Sequence, residues 1–170
     1  NLQCAVDSAA MLKRDGIKDI KFIIVGDGMS KADIEKYAGE KGVREYFDFL
    51  GSKPVTDMPI YHTLADALLA PLAKSDDIGL TIPRKVTSYM AGGKPVLTCM
   101  DGEGSLVIQK AKAGLTAGAG DSRTLYENIK KLKAMPQRER EQLGANARSY
   151  HFANHSRKKV LAQLIDFILN

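Results

Sequence analysis

The chain has 170 residues, 44% of them hydrophobic and 26% charged, an ordinary globular composition that argues against disorder. Its net charge of +5 gathers late, from Lys130 to Lys159, where Glu127, Glu139 and Glu141 interleave and aromatic residues do not, so the pattern reads as a solvated helical face rather than a nucleic-acid surface. No run reaches the roughly 18 apolar residues of a membrane span, and Cys4 and Cys99 match no metal or redox spacing and suit a reducing compartment.

In chain order, Ala5, Val6, Ala9, Ala10 and Leu12 recur at near-helical spacing over 4–14, and Asp15-Gly16 closes that helix. Lys21 to Val25 reads as a buried strand, and Gly26-Asp27-Gly28 turns it into a helix from about Ser30 to Lys41. A doubly wound sheet would place another strand ahead of the opening helix, so the pattern predicts a fragment lacking a first strand. Tyr46 to Leu50 is the next strand, and Gly51-Ser52-Lys53-Pro54-Val55 the loop after it. Thr56-Asp57 can cap a helix over Met58 to Leu64, and Ala67 to Ala70 is a short strand stopped by Pro71.

The most informative stretch runs from Ser75 to Gly104. Pro83 has its φ preset for a helix entry, Val86, Tyr89 and Met90 give the helix one buried face, and Gly92-Gly93 ends it. Pro95 to Met100 is a buried parallel strand, followed by the loop Asp101-Gly102-Glu103-Gly104 at its carboxyl end, the edge where open α/β sheets hold ligands. Helices follow over Leu106 to Ala113, closed by Gly114, then from Asp121-Ser122 to about Lys133, over Gln137 to Tyr150, and from about Ser156 to Leu169, with a brief strand at Leu115 to Ala117. The alternation predicts an α/β fold, a three-layer α/β/α Rossmann-like domain with a parallel sheet.

Arg84 and Lys85 place two cations in the first turn of a helix, where they oppose the dipole unless an anion such as a phosphate lies between them and the free N–H groups. The plainer reading is that both point into water. Asp76, Asp77, Asp101 and Glu103 surround the same edge and can accept hydrogen bonds from the hydroxyls of a ribose or sugar. Gly26-Asp27-Gly28 lacks the third glycine of a dinucleotide fingerprint, with Lys31 in its place, so a tight turn is favoured over a nicotinamide site. His151 and His155 stand one helical turn apart without a third ligand, and no metal is expected; His62 has a structural reading.

Taken together, Lys21 to Gly28, Phe49-Leu50-Gly51, Tyr61 through Ala65-Asp66-Ala67-Leu68-Leu69-Ala70-Pro71, Pro83 to Val96 and Asp101-Gly102-Glu103 resemble the donor-binding, C-terminal domain of GT-B glycosyltransferases of the family 4 type, in the subset serving bacterial polysaccharide and O-antigen assembly. The resemblance spans nearly the whole chain. It implies one sugar-nucleotide-binding domain over residues 1–170, with the acceptor-binding half elsewhere, in a cytoplasmic enzyme with possible membrane association. Lys53 and Pro54 would lie near the nucleotide base, Pro83, Arg84 and Lys85 at the diphosphate, and Glu103 with Asp101 and Gly102 at the ribose or donor sugar. Lys85 and Glu103 are thereby the implied catalytic residues, the substrate a nucleotide-sugar, UDP-linked, and the acceptor a saccharide or a lipid-linked saccharide.

Many members carry two glutamates eight positions apart; here Leu80 and Ser88 occupy those positions, so the contacts made by the glutamates are lost or moved to Asp77 and Glu103. That departure motivates an alternative: a non-catalytic nucleotide-binding or assembly module that keeps the fold and has lost the site.

Overall fold

The computed structural model describes residues 2–74 and 78–169. The elements follow in the order α1 (Gln3–Arg14), β1 (Phe22–Val25), α2 (Lys31–Glu40), β2 (Phe47–Gly51), α3 (Met58–Leu64), β3 (Leu68–Pro71), α4 (Arg84–Gly92), β4 (Val96–Cys99), α5 (Glu103–Lys110), β5 (Gly114–Ala117), α6 (Ser122–Ala134), α7 (Gln137–Asn154) and α8 (Arg157–Leu169). Short 3-10 turns at Arg44–Tyr46, Val55–Asp57 and Ile78–Leu80 join some of them.

Every strand pair is parallel, as the strand–helix alternation predicts, but the strands fall into two groups, β1-β2 and β3-β4-β5, rather than one sheet. Among the described residues the second edge of β1 and the outer edge of β3 pair with no strand. The two groups still share one hydrophobic cluster, in which Phe47 of β2 and Leu97 of β4 meet Val6 and Leu12 of α1 and Leu125 and Ile129 of α6.

β4 sets the layers. All four of its residues are buried, and their alternation sends Leu97 and Cys99 into the cluster with α1 and α6. Val96 instead joins Val86 and Met90 of α4, Ile108 of α5 and Ala147 of α7 in a second cluster on the opposite face. A strand buried on both faces reads as a continuous apolar run, which is why Pro95 to Met100 was legible as one. The α4 layer is held close: a Cβ on Gly144 of α7 would stand 2.2 Å from the Gly93 carbonyl oxygen, so the α7 backbone lies directly on the end of α4.

Several boundaries move from expectation. Pro71 does not stop β3 but is its last residue, opposite Cys99. Its missing N–H costs least at a strand end. Thr56 and Asp57 give α3 no side-chain cap; the 3-10 turn Val55–Asp57 leads into it. α5 begins at Glu103 rather than Leu106, and Gly114 opens β5 instead of closing the helix, the turn falling at Lys112 with φ 49°. α7 runs on to Asn154, so His151 is helical and His155 is its C-cap. α8 has no buried residue, its Leu164, Ile165 and Ile168 all exposed. No helix among the described residues is long and apolar enough to cross a membrane.

At α6 the expected cap is present: Asp121 accepts a hydrogen bond from the Thr124 N–H at 2.9 Å. That bond favours the carboxylate and holds Asp121 below its ordinary pKa. Asp121→Ala is expected to lower unfolding stability by about 1 kcal/mol in urea titrations at pH 7. Because the folded value is depressed, the difference from wild type is fully present above the ordinary carboxylate pKa and shrinks as pH falls through the folded value.

Candidate functional site

At the carboxyl edge of the three-stranded sheet, two helix starts come together. α4 opens after Pro83, which is the N-cap with ψ 137° rather than the first helical residue it was predicted to be, so Arg84 and Lys85 are the first two helical residues. α5 opens after Gly102, whose φ of 79° places it in the region that favours glycine. The two starts touch: a Cβ on Gly104 would lie 3.0 Å from Pro83 Cδ and 2.6 Å from Met100 Sδ. A Cβ on Gly102 would lie 2.1 Å from the Gly79 carbonyl oxygen. Glycines at these positions let the turn Ile78–Leu80, the start of α4 and the start of α5 approach through their backbones.

Val86 and Ser105, third in their helices, turn their N–H groups back to the Pro83 and Gly102 carbonyls, so the donors that the junction offers are the N–H groups of the first two residues of each helix, with the positive ends of two dipoles. Arg84 and Lys85 are exposed at one start, while Glu103 is half-buried at the other. Ser88, one turn into α4, is also exposed. Chemically the arrangement suits an anion with hydroxyl groups attached, since it offers cations and N–H donors beside one carboxylate acceptor.

A buried hydroxyl pair fixes α5 on β4. Ser105 Oγ donates to the Met100 carbonyl at 2.6 Å, and Thr98 Oγ1 lies 2.9 Å from Ser105 Oγ. Asp101 has its own partner: its Oδ1 accepts from the Ala119 N–H at 3.0 Å and ties the loop after β4 to the loop after β5. On that β5 side a cleft of about 330 Å³ is lined by Asp101, Gly102, Ser105, Gln109, Thr116 and Gly118, among others.

The junction thus brings together Pro83, Arg84, Lys85, Gly102 and Glu103, with Asp101 alongside. Lys53 and Pro54 are exposed on the loop after β2, in the other strand group. Asp76 and Asp77 lie outside the described residues. Leu80 is 82% exposed, so the position implied for a glutamate faces solvent with an apolar side chain.

His62 packs edge-on against Tyr89 at 5.3 Å and abuts Gly92, toward the end of α4, and burial lowers its pKa. His151 Nδ1 and His155 Nε2 are shielded without hydrogen-bond partners, and burial, then the neighbouring His155, lowers the His151 pKa. No group of three potential metal ligands forms among the described residues. Sequence spacing did not reveal Gly79, Gly104 or the Thr98–Ser105 pair, because their roles arise from contacts between elements.

Residues 1–150 match the family model described as glycosyl transferases group 1. A 2-deoxystreptamine glucosyltransferase of Streptomyces kanamyceticus is 30% identical over 128 residues, covering 75% of this chain and 32% of that protein. An alpha-D-kanosaminyltransferase of the same organism is 30% identical over 77 residues, 45% of this chain and 19% of that one. The chain therefore spans less than a third of the curated relatives it matches. Among solved structures, Anabaena Alr3699/HepE in complex with UDP superposes with a TM-score of 0.79 at 18% identity, over 99% of this chain and 44% of that one. WaaG, a glycosyltransferase involved in lipopolysaccharide biosynthesis, gives 0.74 at 20% identity, over 91% and 40%. These likenesses establish a GT-B, Rossmann-like domain fold.

Ser105→Ala is expected to cost about 1–3 kcal/mol, because it leaves the buried Thr98 hydroxyl without that partner and releases the α5 start. Urea unfolding of the variant checks the cost. Ser105→Cys, which keeps a weaker donor, should lose less.

Proposed function

Because the chain belongs to the glycosyl transferases group 1 family, we propose that it is the part of a glycosyltransferase that binds a nucleotide-diphospho-sugar donor. The observation that carries this reading is the junction of the α4 and α5 starts, with Arg84 and Lys85 on one and Glu103 on the other. A diphosphate needs the cations and N–H groups, and a ribose or sugar hydroxyl needs the carboxylate. Uridine is the favoured base, since HepE is described in complex with UDP and with UDP-glucose and TarM of S. aureus with UDP. Lys53 and Pro54 are assigned to the base, Pro83, Arg84, Lys85 and Ser88 to the diphosphate side, and Asp101, Gly102 and Glu103 to the hydroxyl side. Asp77 is assigned to a hydroxyl of the donor by the sequence argument alone.

In the proposed reaction the bond from the anomeric carbon to the diphosphate oxygen breaks, and a saccharide or lipid-linked acceptor hydroxyl takes the glycosyl group. Negative charge grows on the leaving phosphates. On this reading Lys85, Arg84 and the α4 N–H groups would meet that charge, a preorganised arrangement worth several kcal/mol in sites of this kind. The acceptor is assigned to the remainder of a longer protein, as the matched residues make up 32% and 19% of the two curated relatives. On this reading the chain alone binds donor without turning it over.

Calorimetric titration tests the assignment. Wild-type chain should bind uridine diphosphate, and Lys85→Ala should weaken it about tenfold or more. An unchanged affinity would overturn the role given to Lys85. Absence of nucleotide binding both here and in the longer natural polypeptide would favour a non-catalytic module, the reading that Leu80 and Ser88 motivate.

A further inference from the structure

Among the described residues β1, β2, β3 and β5 each have one edge that pairs with no strand, and these edges are not alike. The Phe47 carbonyl of β2 accepts from Arg44 Nη1 at 2.5 Å, and the Thr116 carbonyl of β5 accepts from Asn128 Nδ2 at 3.0 Å. Ala113 and Ala117 turn their carbonyls to the N–H groups of Val96 and Met100, so Thr116, one position off that alternation, faces away from β4. A side chain bonded to an outward carbonyl blunts an edge against further pairing. Among the described residues no such guard stands on β1 or β3. Leu68 and Leu72 give their N–H groups to the Pro95 and Cys99 carbonyls on the β4 side, which leaves the backbone of Leu69 and Pro71 turned the other way. Gly26 gives its N–H to Gly51 of β2, which leaves Val25, and with it Ile23, turned from β2.

The two unguarded edges share one neighbourhood, since Ile24 of β1 and Leu69 of β3 pack against the same cluster under α1. α1 runs from the carboxyl edge toward the amino edge. Ser8 Oγ donates to the Ser122 carbonyl at the α6 start at 2.8 Å, Lys130 Nζ meets Asp15 at 2.8 Å, and beyond the helix the Ile17 carbonyl accepts from Tyr46, just ahead of β2, at 2.7 Å. It therefore delivers the chain to β1 as a crossover helix does, and such a helix returns from a parallel strand beside the one it feeds. On the opposite face apolar side chains lack cover. Ile23 is 50% exposed, and α3, whose His62 rests on Tyr89 of α4, has no buried residue. Its Pro59, Ile60, Thr63 and Leu64 line an apolar hollow of about 310 Å³, with Ile60 and Leu64 exposed.

We propose that the edges of β1 and β3 are the two sides of one strand position, filled in a longer polypeptide by the extended apolar segment that runs directly into α1. The direction of α1 selects that segment, and a curated relative of which the matched residues make up 32% has the length to hold it. The sheet then reads β2-β1-strand-β3-β4-β5, all parallel, with α1 on one face of the added strand and α3 on the other. The segment bonds the N–H and C=O groups of Ile23, Val25 and Leu69 and the Pro71 carbonyl, proline having no N–H to offer. Covered on both faces, it is a continuous apolar run, with large side chains toward Ile23, Ile60 and Leu64. β1 and β2 lie to one side of it and β3, β4 and β5 to the other, so the strand order reverses there, which is where open α/β sheets hold ligands. On the donor-site reading, on which this last point alone rests, the added strand ends beside the α4 start with Arg84 and Lys85.

Amide hydrogen exchange followed by NMR, without nucleotide so that the donor reading is not at stake, tests this on the longer natural polypeptide and on the 170-residue chain. In the longer polypeptide the N–H groups of Ile23, Val25 and Leu69 should exchange about a hundredfold more slowly than in the 170-residue chain, together with those of the residues directly ahead of Gln3. Ile24 and Ala70, whose N–H groups already face β2 and β4, should change less. Free exchange of the segment ahead of α1, or equal exchange of the three amides in both chains, would overturn the proposal. Protection that rises with the concentration of the 170-residue chain would make a second copy the occupant and overturn it as well. Where the shorter chain gives no folded reference, fast exchange of Ile23, Val25 and Leu69 in the longer polypeptide overturns the proposal by itself.

Discussion

The burial of β4 on both faces is the constraint on which the remaining structure depends. A strand with Leu97 and Cys99 on one side and Val96 and Thr98 on the other leaves no face for water, so helices must cover both. α1 and α6 take one face, α4, α5 and α7 the other. Parallel pairing of β3, β4 and β5 then forces each connection to return through a helix, which begins at the carboxyl edge of the strand just left. The convergence of two helix starts at Gly79, Pro83, Gly102 and Gly104 follows from that topology. Glycine only permits it, by removing the Cβ atoms that would hold the backbones apart.

Electrostatics at the junction cut against local stability. Arg84 and Lys85 in the first turn of α4 face the positive end of a dipole, where an acidic residue would stabilise the helix. The helix survives the conflict because Val86 and Met90 are fully buried and because Gly144 brings α7 onto its far end. Tertiary packing thereby frees the first turn from having to stabilise itself. Such a mismatch between local rule and observed residue is what a binding role for the turn would leave in the sequence.

Much of this was legible in the chain. The alternation of short apolar runs with amphipathic segments located the five strands and eight α-helices of the described residues to within a few residues, because period and breakers act locally. Glu103 was misread as a loop residue: a glycine on either side looks like a turn, whereas Gly102 is a cap and Gly104 a packing contact. Pro71 was misread as a stop for a similar reason, since its cost depends on where in the ladder it falls. Long-range contacts were not legible. Thr98 with Ser105 and Asp101 with Ala119 carry no spacing signal, because each pair is set by how the elements lie on the sheet.

The balance of charge at the junction bears on what a donor site here would recognise. Among the described residues Arg84 and Lys85 open one helix start and the half-buried carboxylate Glu103 the other, while Asp101 is engaged by Ala119 and Leu80 presents an apolar surface. Cations and N–H groups recognise a diphosphate irrespective of the sugar attached, whereas hydroxyl patterns are read by acceptors held at fixed positions. With Leu80 and Ser88 in place of a glutamate pair, the proposed site is strong in the first kind of contact and sparse in the second. Discrimination among sugars would then rest on Glu103 and on groups supplied from the rest of a longer protein when the cleft closes.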